Sequence, residues 1–385
     1  MKVIIFSGGR FWSFEQAREL EKRGALSQLI TSFPKFLATR AGIPRRKIRS
    51  LIATEILTRS WKHLPYSIQR FYNPQYLTTE TFDRFGSIFI NEADIFTGLA
   101  SLSLHGLRAA KKKGAITIIE RGNSHILNQK KILSEEYQNF GLKIQFSDPR
   151  LVEKELMEYE EADYIYVPSS FVRQSFLERG FSENKLICMP FGVDLSLFKK
   201  ILKKDNIFRV IFAGGMLLRK GVHYLLRAFA ELNLPNSELM LCGSINEEIK
   251  PFFKKYDGKF KYVGHISRSE LYKYYSQGSV FVMPSIEEGF GMVQLQAMAC
   301  GLPVIHTPNT GGEDVVREGI DGFVIPIRNV EALKSRLTYF HDNPEICRKM
   351  GESAMQRVSS GFTWNDYGEK LFTKYKEILA TRHNL

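Results

Sequence analysis

Residues 284–305 read Pro-Ser-Ile-Glu-Glu-Gly-Phe-Gly-Met-Val-Gln-Leu-Gln-Ala-Met-Ala-Cys-Gly-Leu-Pro-Val-Ile. The apolar run from Val280 to Met283 leads into them and reads as a buried strand. Glu287, Glu288, Gly289, Phe290 and Gly291 then make a turn rich in glycine and carboxylate. Met292 to Cys300 has helical periodicity, Gly301 stops it, and Pro303 lies just past the stop. Val304 and Ile305 open the next strand. Strand, acidic glycine-rich turn, helix and strand follow one another.

The chemistry of such a turn is specific. Gly289 and Gly291 let the backbone approach a ligand closely. The amides of Gly291, Met292 and Val293 are expected to face an anion at the helix start. Glu288 offers a carboxylate to hydroxyl groups, and Gln296 can bind a second polar group a little over two turns along the helix. An anion flanked by two polyhydroxylated groups describes a sugar nucleotide.

The segment resembles the donor-binding signature of the retaining glycosyltransferases of family 4 (glycosyl transferases group 1), seen there as E-G-F-G followed by a helix ending in A-x-A-x-G-x-P. The resemblance implies the GT-B fold: α/β, two Rossmann-like doubly wound domains facing across a cleft. Glu288 stands at the acidic position that touches the donor sugar. Gln296 stands where a second Glu binds the ribose, and would do so without charge assistance. Phe290, Gly291, Met292 and Val293 would complete that side of the donor site.

Companion motifs extend the resemblance, well over roughly residues 150–370 and loosely before them. Lys220-Gly221 matches a loop whose cations neutralise the donor diphosphate. The usual Arg position there holds Gly215, with Arg219 as substitute. Two cations at a diphosphate stabilise the charge that grows on a leaving group. Ile266, in Gly264-His265-Ile266, would hold the nucleotide base. Pro190-Phe191-Gly192-Val193-Asp194 resembles the family's interdomain connection, with Phe191 in place of Asn. Gly319 to Val324 matches its terminal hairpin.

The N-terminal half opens as βαβ, with strands at Val3 to Phe6 and Leu26 to Thr31 around a helix from Phe14 to Arg23. Further strands are expected at Ser87 to Ile90 and Ala115 to Ile119. The turn Ser7-Gly8-Gly9-Arg10 lacks a full dinucleotide fingerprint. By resemblance it borders the cleft, giving Gly9 to the donor and Arg10 to the acceptor. Glu120 to His125 follows a strand, where open α/β sheets bind ligands. By resemblance His125 meets the donor or the reacting region, and Arg121 a phosphate or the acceptor. Domains are expected at 1–193 (acceptor binding) and 205–363 (nucleotide-sugar binding), with a helix over 364–385 returning to the first.

Charge is placed unevenly. Of a net +13, residues 1–131 carry 22 Lys+Arg against 9 Asp+Glu, while the remainder holds 32 of each. Between Lys35 and Arg70 nine cations accompany a single acid, Glu55, and aromatics including Phe36, Trp61, Tyr66 and Tyr72 interleave with them. A basic amphipathic helix between Pro44 and Arg59 reads as a lid over an acceptor, an anionic membrane contact or a docked helix with a solvated basic face. No nucleic-acid fold signature accompanies it. No apolar run reaches the ~18 residues of a membrane span. The four cysteines are widely spaced and read as reduced thiols of a cytoplasmic protein, not a metal site.

The expected activity is transfer of a hexose from a nucleoside diphosphate sugar to a hydroxyl of a glycan, lipid or small molecule, with retention. His125, Glu288, Arg219 and Lys220 are the expected catalytic residues. No cofactor and no metal are called for, since two cations serve and no Asp-x-Asp motif occurs. The rival readings are a GT-B epimerase or phosphorylase, and an inactive sugar-nucleotide-binding subunit suggested by Gln296 and Gly215.

Overall fold

The apolar runs become the strands of two parallel sheets in the computed structural model, which describes residues 1–9, 12–62, 74–144 and 146–383. Arg10, Tyr66 and Tyr72 lie outside the described residues. The first sheet has seven strands: β1 Val3–Ser7, β2 Leu26–Thr31, β3 Ile48–Ser50, β4 Ile95–Leu99, β5 Ile116–Glu120, β6 Tyr164–Val167 and β7 Leu186–Cys188, in the order β3-β2-β1-β4-β5-β6-β7. The second has six: β8 Phe208–Ala213, β9 Ser237–Cys242, β10 Lys261–Gly264, β11 Val280–Met283, β12 Val304–His306 and β13 Gly322–Val324, in the order β10-β9-β8-β11-β12-β13. Helices connect parallel neighbours and cover both faces, so β1, β4, β5 and β11 are buried at every residue. That double burial is why they read as continuous apolar runs.

Strand order reverses beside β1 in one sheet, where β2 and β4 flank it, and beside β8 in the other, between β9 and β11. Adjacent loops diverge at such a switch point and leave a crevice at the carboxyl ends of the strands. The loops after β8 and β11 are those that carry Lys220 and Glu288.

Two stretches depart from the sequence expectation. The chain between Pro44 and Arg59 is not one helix: Arg45–Lys47 is a 3-10 turn, Ile48–Ser50 pairs with β2 as the sheet edge, and a helix runs only from Ile52 to Lys62. Ile48 is buried and Arg49 exposed, the alternation of an edge strand. Nor is Ser87–Ile90 a strand. Helix Gln75–Ser87 runs into it, Ile88 is exposed, and the sheet takes Ile95–Leu99 instead. Thr97 and Gly98 hid that strand by interrupting its apolar run. Both are buried, and the Thr97 hydroxyl donates to Glu120 at 2.6 Å.

Helix Trp364–His383 packs on helix Ser13–Lys22 of the N-terminal lobe, where Arg23 donates to the Asn365 carbonyl at 2.9 Å. Phe191 sits where the lobes join. Its ring stacks on Trp12 at 4.6 Å, meets Phe290 edge-on at 5.6 Å and lies 6.4 Å from Trp364. The aromatic at this position thus makes the connection a packed hub. Phe191→Ala is expected to cost about 3–5 kcal/mol and to lower the thermal midpoint of the whole chain in calorimetry, because both lobes lose packing.

Candidate functional site

Gly221 brings the two loops of the C-terminal lobe together. It ends the 3-10 turn Leu218–Lys220 at φ 65° and starts helix Val222–Leu232. A Cβ there would lie 1.9 Å from the Pro284 carbonyl oxygen, so the backbones touch only because the residue is glycine. Ile286 N–H donates to the Arg219 carbonyl at 2.9 Å, stitching the loops further. Arg219 and Lys220 are thereby placed against Glu287 and Glu288. The Lys220 ammonium donates to Glu288 Oε2, and Arg219 Nη1 lies 3.1 Å from Glu288 Oε2 and 3.3 Å from Glu287 Oε2.

Burial and pairing compete in this cluster. Burial alone would raise the Glu288 carboxyl, but Lys220 and Arg219 outweigh it and hold it below the usual range. Burial lowers Lys220, and Arg219 adds to that against the pull of Glu288. For Arg219 burial opposes the charge, and the carboxylates of Glu288 and Glu287 more than restore it.

The N-terminal lobe meets the cluster through Glu287, which is fully buried. Its carboxylate accepts from Ser124 N–H at 3.1 Å, Ser124 Oγ at 2.9 Å and Gln129 Nε2 at 3.0 Å. Ser169 Oγ donates to the Gly289 carbonyl at 2.5 Å. Gly289 is pressed so closely on the other lobe that a Cβ would sit 1.8 Å from the Gly122 carbonyl oxygen. One helix, Ile126–Asn139, spans this seam. Gln129 reaches Glu287, while farther along Tyr137 OH donates to Glu248 at 2.8 Å and Glu136 accepts from Arg328 Nε at 2.6 Å. Glu248 also accepts from Leu218 N–H at 2.8 Å, so this helix braces the turn that carries Arg219 and Lys220.

Other expected site residues fall differently. The amide of Gly291 donates to the Thr310 carbonyl at 3.1 Å and that of Met292 to the Phe290 carbonyl at 3.0 Å. The expectation that both face an anion is therefore corrected: the turn itself uses them. Val293 opens the helix beside them, and Phe290 packs on Phe191. Gln296 is buried on that helix.

His125 is not gathered with Glu288 and Lys220. Its ring caps helix Ile126–Asn139 by accepting from Leu127 N–H at 3.3 Å and is boxed by Tyr159, Phe176 and Phe181. Burial, with Arg179 and Arg121, pushes its pKa down to about 4. Arg121 is likewise turned inward. It binds Glu155 at 3.1 Å and Gln129 Oε1 at 2.8 Å, and so stands behind Glu287. The Gly9 carbonyl accepts from Ser7 and Ser13 hydroxyls, closing the turn after β1. Gly215 is half-buried, and an added Cβ would meet only Leu217, 3.7 Å away. Ile266 is half-buried against the core just after β10.

Sequence reasoning missed Glu287, Ser124, Gln129 and Glu248 as organisers of the site. The only signal was the pair of adjacent acids, since their partners lie far away in the chain. Among the described residues one cluster has metal-ligand spacing, Glu80, Asp83 and His105. It already holds the Lys154 ammonium, 2.6 Å from Asp83 and 2.9 Å from Glu80.

The two-lobed α/β fold brings two cations and two carboxylates together at the lobe seam. Residues 194–357 match the model of glycosyl transferases group 1. An uncharacterized glycosyltransferase of Methanocaldococcus jannaschii is 28% identical over 56% of this chain and 60% of its own length. The capsular polysaccharide biosynthesis glycosyltransferase CapM of Staphylococcus aureus is 26% identical over 56% of this chain and 62% of its own. These matches thus span less than two thirds of either relative. Among solved structures, sucrose-phosphate synthase from Thermosynechococcus elongatus superposes with a TM-score of 0.75 at 20% identity, covering 99% of this chain and 100% of that one. Anabaena HepE in complex with UDP and glucose does so with a TM-score of 0.69 at 17% identity, each chain covered completely (100%). Both share the two-lobed fold.

The Glu288 pair has a signed pH dependence. A carboxylate whose folded pKa is depressed stabilises the fold above its unfolded pKa of about 4.3 and loses that contribution as pH falls through the folded value. Removing Lys220 takes away an opposing charge and leaves burial in place. In Lys220→Met the folded carboxyl moves up toward its unfolded value, so the parent is expected to lose more of its thermal midpoint on acidification than the variant does, measured by circular dichroism melts between about pH 3 and pH 7.

Proposed function

We propose that the chain moves a hexose from a nucleoside diphosphate sugar to an acceptor hydroxyl, with retention at the anomeric carbon and without a divalent metal. The observation that carries this reading is the paired Lys220, Arg219 and Glu288 at the switch point of the C-terminal sheet, sealed by the N-terminal lobe. An incoming diphosphate is the stronger anionic partner for two buried cations. It takes Lys220 and Arg219 from Glu288, and the released carboxylate accepts from sugar hydroxyls instead. As the glycosidic bond lengthens, charge accumulates on the diphosphate, where preorganised cations stabilise the transition state more than the ground state. Gln296 serves the ribose as a neutral partner. No nucleophile is assigned.

The acceptor side belongs to the N-terminal lobe. A pocket of about 380 Å³ opens at the switch point beside β1, lined by Gly8, Ser32, Glu55, Trp61, Thr78 and Phe82 among others. Hydroxyls, one carboxylate and aromatic faces suit the polar end of a glycan or a lipid-linked acceptor. UDP, found in the complex of the HepE neighbour, is the first donor nucleotide to try. Gln296 and Gly215 favour a second reading, a sugar-nucleotide-binding subunit with little turnover of its own.

A panel of UDP-, GDP- and ADP-sugars separates these readings. One donor is expected to bind by calorimetry and to be hydrolysed slowly without acceptor. Lys220→Ala is expected to lower that turnover by about 10²–10³-fold, the usual loss for one preorganised charge-stabilising group. Nucleotide binding without any turnover would favour the subunit, and absence of binding by every nucleotide would end the sugar-nucleotide reading.

A further inference from the structure

Helix Ile52–Lys62 is inside out. Its inward positions Thr54, Glu55, Thr58 and Trp61 line the N-lobe pocket. Its outward positions include Ile52, Ile56 and Leu57, exposed by 41, 56 and 42%. A helix on the surface of a globular domain ordinarily turns its aliphatic stripe to the core and its polar stripe to water. Here Ile52 and Ile56, one turn apart, and Leu57 beside Ile56 all lie on the solvent-exposed side of the helix. Phe36, on the short preceding helix Lys35–Arg40, is 56% exposed as well.

Charge in this segment has one sign. Lys35, Arg40, Arg45, Arg46, Arg49 and Arg59 are all exposed. The one acid between residues 35 and 62, Glu55, is turned toward the pocket, where it accepts from Ser32 at 3.2 Å and Arg59 at 2.7 Å. We propose that this face docks on an anionic lipid bilayer. Ile52, Ile56 and Leu57 enter the boundary between headgroups and acyl chains, while the flanking arginines and lysine meet lipid phosphates. The charge pattern selects this occupant: cations spread along the segment, with no outward acid, complement a continuous anionic surface. Where the sugar-transfer reading holds, and only there, a second consequence rests on it. The acceptor is an amphiphile carried in that bilayer, its polar end reaching the pocket past the far side of the same helix.

The test is co-sedimentation of the full chain with vesicles of phosphatidylcholine alone and of phosphatidylcholine with phosphatidylglycerol. Binding is expected on the anionic vesicles only and is expected to weaken as salt rises. The double variants Ile56→Ser with Leu57→Ser, and Arg45→Gln with Arg46→Gln, are each expected to weaken partitioning about tenfold or more. These side chains are exposed, so folding should be unaffected, and a thermal melt of each variant checks that. Equal binding to both vesicle types, no binding to either, or variants that partition like the parent would overturn the proposal. Self-association by light scattering that Ile56→Ser with Leu57→Ser abolishes would overturn it in favour of a second copy as the occupant. Nucleotide binding is read in parallel: its persistence while docking fails overturns the membrane face alone, whereas its absence overturns the sugar-nucleotide reading and leaves docking to stand or fall on the vesicles.

Discussion

A carboxylate shut away from water holds the two lobes together. Glu287 is fully buried, and an ion in that position is tolerable only when its lone pairs are occupied. Ser124 gives it two donors, Gln129 a third and Arg219 a fourth. The first three come from one lobe and the last from the other. Separating the lobes would leave the charge with Arg219 alone, so seam and charge cluster persist as a unit. Its neighbour Glu288 points to the cations, and the adjacent acids thus divide two tasks, one architectural and one available for exchange with a ligand.

The chain arranges this division with few parts. Parallel sheets put every loop of interest at one edge, and glycine lets loops from neighbouring strands touch. Helix Ile126–Asn139 then acts as a strut. Gln129 fixes Glu287, and Tyr137 fixes Glu248, which in turn holds the amide of Leu218 just before Arg219. The turn that bears the cations is therefore positioned by side chains of the opposite lobe as well as by its own. Arg121 and His125 contribute from behind, the first by orienting Gln129 and the second by capping the strut.

Much of this could be read from residue order. Doubly buried strands such as Val280–Met283 leave an unmistakable apolar run, and Lys220-Gly221 with Glu288-Gly289 flags loops where backbone must come close. Other features depend on partners that residue order cannot supply. Which acid faces the seam is decided by Ser124 and Gln129, far away in the chain. His125 follows a strand in a suggestive place, yet the aromatic neighbours that enclose its ring come from two later segments, around Tyr159 and around Phe176 and Phe181. The edge strand at Ile48 was hidden among arginines, and the amides of Gly291 and Met292 were taken by turn geometry that no residue type announces.

The contact of Gly289 with Gly122 has a mechanical meaning. Side chains at an interface can bend, rotate or be exchanged for others of different size, so most seams have an adjustable gap. Here main chain rests on main chain, and van der Waals contact between backbone atoms limits how near the lobes can come at this point. The spacing is a hard stop, indifferent to whatever remodelling the pocket walls on either side undergo.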